Sequence, residues 1–366
     1  MKKRIMALLL CVVMAATMLA ACGGGNEGGA KDVTVFWYDE SDVYLGSVRD
    51  ALNKELTSAG LTYDNQYAAA TQATQLDQIR TAVAAGTKLL IVNMVTSGAE
   101  ETANEIIDIA GDIPVIFFNR AIGTDGSDNK ILDANENVCF IGTDAPEAGH
   151  MQGKMIGDYV VANFDKIDLN KDGKISYAMM KGEEGNVEAE YRTQYGVEDA
   201  NAVLKAAGKA ELVYFDAAAK DKYQVDQNGK WSAQAATDYM TTNLVSFNAS
   251  NNNMIELVIC NNDGMAEGVV ATLQANGYNK GDGHVVPVFG VDATENAKAL
   301  IADGSMTGTV KQDAEGMAAA IAQTAKGIID GSKPVDALAA LKDERFSVAK
   351  DCTSKLYVAY APYTGE

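Results

Sequence analysis

Residues 255–263 read IELVICNND, and residues 285–292 read VVPVFGVD. Each is a run of aliphatic, largely β-branched side chains that closes abruptly on an amide or a carboxylate. A strand that is apolar at nearly every place is covered on both faces, as in a parallel sheet flanked by helices. Runs of the same kind recur in both directions along the chain: VTVFWY (33–38), KLLIVNMV (88–95), IPVIFFN (113–119), NVCFIGT (137–143), KISYAMMKG (174–182), AELVYFD (210–216) and GTVKQD (308–313). Between them lie stretches with helical spacing, such as SVRDALNKELTSA (47–59), TQLDQIRTAVAAG (74–86) and DAEGMAAAIAQTAKGIIDG (313–331). The alternation predicts an α/β architecture of doubly wound parallel sheets. The length exceeds one ordinary core, which predicts two lobes.

Open parallel sheets take ligands at the carboxyl ends of their strands. The residues that end the apolar runs are therefore the first candidates for a site. They are Asn119, Asn262 with Asp263, and Asp292; KISYAMMKG leads into EEGNVEAEYR with Glu183, Asn186, Glu188 and Arg192, and VTVFWY leads into Asp42 and Tyr44. Taken one at a time, such residues are turn formers and helix N-caps. Together they form a set of carboxylates, amides and a guanidinium suited to sugar hydroxyls, which both donate and accept. Trp231 lies in a polar stretch, NGKWSAQAATDYM, ahead of a helical pattern. With Tyr44 it supplies aromatic faces of the kind that cover the CH patches of a pyranose.

The N-terminus has Lys2, Lys3 and Arg4 ahead of an apolar run too short to span a membrane, then Leu19-Ala20-Ala21-Cys22 and a Gly-rich stretch. This pattern predicts export, cleavage before Cys22, lipidation of Cys22 and a flexible tether over residues 22–32. The membrane is then met only through the lipid, on the outer face of the cytoplasmic membrane. Of five cysteines, Cys139, Cys260 and Cys352 remain beyond the leader and Cys22, and two of them sit in apolar runs; buried thiols are expected rather than a disulfide framework. The formal charge of −20 becomes −23 once the three basic residues of the leader are removed. Such a surface repels nucleic acid and anionic lipid and suits neutral ligands and hard cations.

One stretch points to a cation. DLNKDGKIS (168–176) spaces Asp168, Asn170 and Asp172 at alternate places, puts Gly173 sixth and Ser176 ninth, and so begins like an EF-hand loop. Its twelfth place is Met179, and the chain runs on as a strand. Glu256, at the head of an otherwise apolar run, needs a cation or a hydrogen-bonding partner if it is ionised there.

From about Val33 onward the chain resembles the galactose/glucose-binding proteins of methyl-galactoside ABC importers. The most specific pieces are DLNKDGKI…KGEEGNVEAEYRT, IELVICNNDGMAEG, VPVFGVDA and FFNR…FIGTDAPEAG. The resemblance implies a periplasmic binding protein of type I, with two lobes joined by a three-segment hinge that close over one hexose. It implies a lobe of residues 33–143 and 313–348, and a lobe of residues 144–312 and 349–366 that carries the calcium loop. The sugar-binding positions it implies are Asp42, Tyr44, Asn119, Asn186, Glu188, Arg192, Trp231, Asn262, Asp292 and Gln312. Four depart from the family's pattern: Tyr44 replaces a stacking Phe, Asn186 a His, Glu188 an Asp and Gln312 an Asn. The implied calcium cage is Asp168, Asn170, Asp172, the Lys174 carbonyl, Ser176 in place of a longer Gln, and the remote Glu256. Permease and ATPase subunits of an importer are the implied partners of a monomer. A sensor or chemoreceptor ligand role, a methyl-galactoside ligand, or another monosaccharide are the alternatives. The segment KDKYQVDQNGK (220–230) is extra, with no role assigned.

Other classes find little in the sequence. The chain has two histidines, and no phosphate-cradling Gly loop or Gly-x-Ser-x-Gly elbow accompanies them. The regulators that share this fold carry a basic DNA-binding segment ahead of the first strand, where this chain has the apolar leader and the glycines. Neither catalysis nor DNA binding is expected.

Overall fold

The computed structural model describes residues 30–365 apart from positions 125 and 282. The leader, Cys22 and most of the proposed tether lie outside the described residues. In chain order the first elements are β1 (Val33–Trp37), α1 (Val43–Ser58), β2 (Tyr63–Tyr67), α2 (Gln72–Ala84), β3 (Leu89–Val92), α3 (Glu100–Ala110), β4 (Val115–Phe118), α4 (Ser127–Ala134) and β5 (Val138–Gly142). Next come α5 (Ala145–Ile167), β6 (Ser176–Lys181), α6 (Val187–Ala206), β7 (Val213–Tyr214), β8 (Gln224–Val225), α7 (Ala233–Ser246), β9 (Leu257–Cys260), α8 (Asp263–Ala275), β10 (Val288–Asp292), α9 (Glu295–Ala302) and β11 (Gly308–Gln312). The chain ends with α10 (Ala314–Ile329), α11 (Pro334–Ala339), β12 (Phe346–Val348), β13 (Lys355–Val358) and β14 (Tyr360–Tyr363).

The strands form two sheets, ordered β12-β13-β5-β4-β3-β1-β2 and β14-β11-β10-β9-β6-β7, with β8 also paired to β6. All pairings are parallel except β12 on β13 and β14 on β11. The continuous apolar runs are explained by burial on both faces. In the first sheet Val33, Val35, Ile91, Ile116 and Ile141 face Leu45, Val48 and Leu52 of α1 and Ile321 and Ala325 of α10. The opposite face sets Phe36, Leu90, Phe117 and Phe140 against Ile79, Ile106 and Ile131. In the second sheet Met180, Val258 and Val288 pack on α7 and α8, while Met179, Ile259 and Phe289 pack on α5 and α6. Close packing of α5 on α6 rests on Gly149, Gly153 and Gly157, where an added Cβ would lie 2.5 Å from the Tyr191 carbonyl, 2.3 Å from that of Tyr195 and 2.6 Å from Val203.

The expected α/β class and two-lobed architecture hold, with one antiparallel strand at an edge of each sheet. Three connections join the lobes: one after β5 at residues 143–144, one at Asp313 after β11, and one at Ala359 between β13 and β14. The third corrects the expected boundary. Residues 349–358 do not belong to the second lobe, because β13 pairs in parallel with β5 of the first sheet, Leu356 opposite Ile141. Two further expectations differ. AELVYFD keeps only two residues as strand, and the first sheet gains an edge strand, β2, with the polar sequence YDNQY.

Candidate functional site

All ten expected ligand-binding residues line one cavity between the lobes, together with Arg120, which the sequence reading did not select. Its empty space, mouth and open solvent included, is about 410 Å³. The placement follows from topology: most of these residues stand at the carboxyl end of a strand or in the first turn of the next helix, while Arg192 lies in the second turn of α6 and Trp231 in the loop ahead of α7. Asp42 is the N-cap of α1 and Tyr44 its second residue. Asn119 and Arg120 follow β4, Asn186 caps α6, and Asn262 caps α8. Asp292 and Gln312 are the last residues of β10 and β11. Trp231 precedes Ser232, the N-cap of α7.

The capping reading and the lining reading are both correct here. Asp42 accepts from the Leu45 amide at 2.9 Å and from the Tyr38 hydroxyl at 2.8 Å. Asn186 accepts from the amides of Glu188 and Ala189 and donates to Glu183 at 2.9 Å. Asn262 accepts from the Met265 amide and donates to the Trp231 carbonyl at 3.2 Å. These bonds lock the side chains in place before any ligand arrives. Asn119, Trp231 and Asp292 take left-handed backbone angles, with φ of 60°, 55° and 127°. Strain of this kind is held only where surrounding structure imposes it, and it concentrates at functional sites.

Arg192 organises the wall of the cavity on the second lobe. It donates to Glu188 at 3.0 Å, to Gln312 and to the Tyr360 hydroxyl at 3.1 Å each, and to the Asn261 carbonyl at 2.9 Å. Glu188 in turn accepts from Thr143 at 2.9 Å. Trp231 lies against the backbone of Gly182, where a Cβ would fall 2.1 Å from its ring, and the Arg192 guanidinium is 5.6 Å from the ring centre. Burial pushes the carboxyls of Asp42 and Asp292 above the usual range, and the Tyr44 hydroxyl likewise.

Several lining residues carry polar atoms with nothing to bond. Buried side-chain atoms without a partner include Tyr44 Oη, Arg120 Nε, Arg192 Nε, Trp231 Nε1 and Gln312 Nε2, all from this one lining. A buried donor without an acceptor costs about 1–3 kcal/mol, and the protein itself supplies no partner for these atoms. Four of the five atoms are obligate donors, and a ligand rich in oxygen would satisfy them.

The loop at residues 168–176 lies at the other end of the second lobe's strands. Its frame is of the expected kind: Asp168 accepts from the amides of Asp172 and Gly173 at 3.2 Å, Asp172 accepts from Lys174 at 3.0 Å, and Gly173 has φ 77°. Glu256 is brought to the loop across about eighty residues and accepts from the amides of Asn170 at 2.8 Å and Ser176 at 2.9 Å. Asn170 and Ser176 also bond the backbone of Met254. Among the described residues no three acidic, His or Cys side chains converge as a metal cluster. An ion here would therefore also draw on the amide of Asn170, the hydroxyl of Ser176 and the Lys174 carbonyl. The donor set fits a hard cation: every group offers oxygen. Glu256 is 1 % exposed, has no basic partner among its interactions, and burial holds its carboxyl above the usual value.

Cys139, Cys260 and Cys352 are free and buried. No helix among the described residues is long and apolar enough to cross a membrane.

Residues 33–333 match the family model of the periplasmic binding protein domain. The chain is 33 % identical over 326 residues to the D-galactose/methyl-galactoside binding periplasmic protein MglB of Haemophilus influenzae, covering 86 % of this chain and 87 % of that protein. Among solved structures, an ABC transporter solute binding protein from Bacillus halodurans with bound myo-inositol superposes with a TM-score of 0.67 at 20 % identity, covering 93 % of this chain and 96 % of that one. Another from Clostridium phytofermentans, with bound β-D-glucose, gives 0.66 at 20 % identity, covering 91 % and 94 %. At that identity the structural matches speak for the fold.

Proposed function

The chain belongs to the periplasmic binding proteins, a family of solute binders rather than enzymes, and from that premise we propose that it captures one neutral hexose, D-galactose or D-glucose, for an ABC importer. Methyl-galactoside is a further ligand of the same site. The observation that carries the reading is the group of partnerless buried atoms on Tyr44, Arg120, Arg192, Trp231 and Gln312 around one cavity. A hexose brings hydroxyl oxygens to such donors and hydroxyl hydrogens to the carboxylates of Asp42, Glu188 and Asp292. The identity with a galactose-binding relative supports the choice of hexose. A thermal-shift panel of monosaccharides, run with calcium present, tests it. Galactose and glucose are expected to raise the melting temperature most; a dominant shift with a pentose and none with a hexose would overturn the assignment.

The same reading includes a structural calcium ion held by Asp168, Asn170, Asp172, the Lys174 carbonyl, Ser176 and Glu256. Its chemistry there is that of a fixed positive charge tying the loop after α5 to the segment before β9. For that, Asn170 and Ser176 would turn from Met254 toward the loop. Delivery to permease and ATPase subunits, and anchoring by a lipid on Cys22, complete the proposal. Labelling with a radioactive fatty acid that marks wild type and Cys22→Ala equally would remove the anchor from it.

A further inference from the structure

Two ion pairs cross the cleft. Arg120, on the first lobe, meets Glu183 on the second at 2.6 Å, with side chains 6 % and 22 % exposed. Lys230, on the second lobe, reaches Asp39 on the first at 3.2 Å, with side chains 45 % and 5 % exposed. Lys230 ends the segment at residues 220–230 that had no counterpart in the family pattern, and the structure shows how that segment is braced. Gln224 and Val225 pair with β6, and the Val225 carbonyl accepts from the Tyr239 hydroxyl at 2.9 Å. Asp226, 2 % exposed, accepts from the amides of Asn228 and Ser232 and from the Ser232 hydroxyl at 2.7 Å. Gly229 then turns with φ 61° against Glu183, which approaches its would-be Cβ to 3.1 Å. The segment is a braced arm, and it presents Lys230 and Trp231 at the lip of the cavity.

The first-lobe partners are fixed as well. Asp39 is held by the amide and hydroxyl of Ser41. Arg120 is held by the Val95 carbonyl at 2.9 Å and lies over the Tyr38 ring at 4.2 Å. Asp39, Arg120 and, through Asn186, Glu183 are thus held by their own lobes, Lys230 is presented by the braced arm, and the two pairs meet only when the lobes are together. We propose that the arm at residues 220–230, with Arg120, is an electrostatic clasp that sets how far the closed form is favoured. Resting on the reading that the cavity binds an uncharged sugar, it has an unusual consequence. Binding of a ligand without charge should depend on ionic strength, because closure brings the two pairs together and salt screens them.

The test is a series at position 230, whose side chain is half in solvent and has no side-chain partner other than Asp39. Titration calorimetry with D-galactose and D-glucose at 25 mM and 500 mM NaCl is expected to show wild-type affinity falling by about three- to tenfold at high salt. Lys230→Gln should bind more weakly at low salt with a shallower dependence, because Arg120–Glu183 remains. Lys230→Glu should bind most weakly of the three at low salt, and its deficit against Lys230→Gln should shrink at high salt, where its repulsion from Asp39 is screened. Equal salt dependence in all three proteins would overturn the clasp while leaving hexose binding intact. If neither sugar binds, the functional reading fails by itself, and small-angle scattering of the ligand-free proteins decides on the clasp. Lys230→Glu should then be more extended than wild type at low salt and match it at high salt, and equal radii of gyration at low salt would overturn it.

Discussion

Arg192 and Tyr360 lie 168 positions apart in sequence and 3.1 Å apart in space, the guanidinium donating to the phenol oxygen. Tyr360 opens β14, immediately after the third crossing between lobes, and the same guanidinium bonds Gln312, immediately before the second. Through Glu188 it is tied to Thr143 at the first, and Tyr360 itself donates to Thr143 at 3.0 Å. One buried cation on the cavity wall is therefore linked to every strand of the hinge, to two directly and to the first through Glu188. A ligand that engages Arg192 engages the hinge as well.

Tyr360→Phe is expected to keep the fold and weaken hexose binding by about two- to tenfold, the scale of one ordinary hydrogen bond. Titration calorimetry beside a melting curve separates the two effects. An affinity equal to wild type would disconnect the hinge from the cavity.

Asp292 is buried, its backbone is strained, and its carboxyl is pushed up by burial. Asp292→Asn should cost about two- to tenfold in affinity by titration calorimetry, because the amide leaves one acceptor oxygen where the carboxyl has two.

Gly182→Ala places a methyl group 2.1 Å from the Trp231 ring. The ring must move toward the cavity, so binding should fall at least tenfold while the melting temperature moves far less. Trp37 and Trp231 are the two tryptophans, and Trp37 is buried in the first sheet with its indole bonded to Asn65. A ligand-induced fluorescence change should therefore survive in Trp37→Phe and vanish in Trp231→Phe.

Stability of the sugar-free protein should depend on pH through Asp263. Burial is the main cause that raises its carboxyl to about 7, against hydrogen bonds from Thr309 and from the Thr294 amide. A raised acid pKa means that the folded state holds the proton more tightly than the unfolded chain. The contribution is complete below about pH 4 and is lost as pH rises through about 7. Melting curves from pH 5 to 8 should show this decline, superposed on the other groups, and Asp263→Asn should flatten it.

Calcium removal should lower the melting temperature, since an ion bound only to the folded state stabilises it by mass action. Glu256→Gln should abolish most of that difference. Equal calcium affinity in this variant and wild type would exclude Glu256 as a ligand.

The strands with both faces buried were legible because their apolar runs have no polar interruption, and the same runs pointed to Asn119, Asn262 and Asp292 at their ends. The strand β2 was not, because an edge strand with the sequence YDNQY buries little and carries no hydrophobic signal. The return to the first sheet at Lys355 was missed because SKLYVAY could extend either lobe, and only pairing with β5 decides it. Arg120 stood within the quoted FFNR, yet nothing local shows that its charge meets Glu183, 63 residues further on. Partners at long range are chosen by topology, which a single sequence states only indirectly.

The strands β13 and β14 give the interleaved lobes a consequence for biosynthesis. One completes the pairing of β5 and β12, the other closes the edge of β11. Neither sheet can therefore be finished while the C-terminal residues are still being made, although domains ordinarily fold from the N-terminus as they emerge. A nascent chain of this design leaves both sheets incomplete until β13 and β14 have emerged. Loss of residues 355–366 is therefore a defect in both lobes at once.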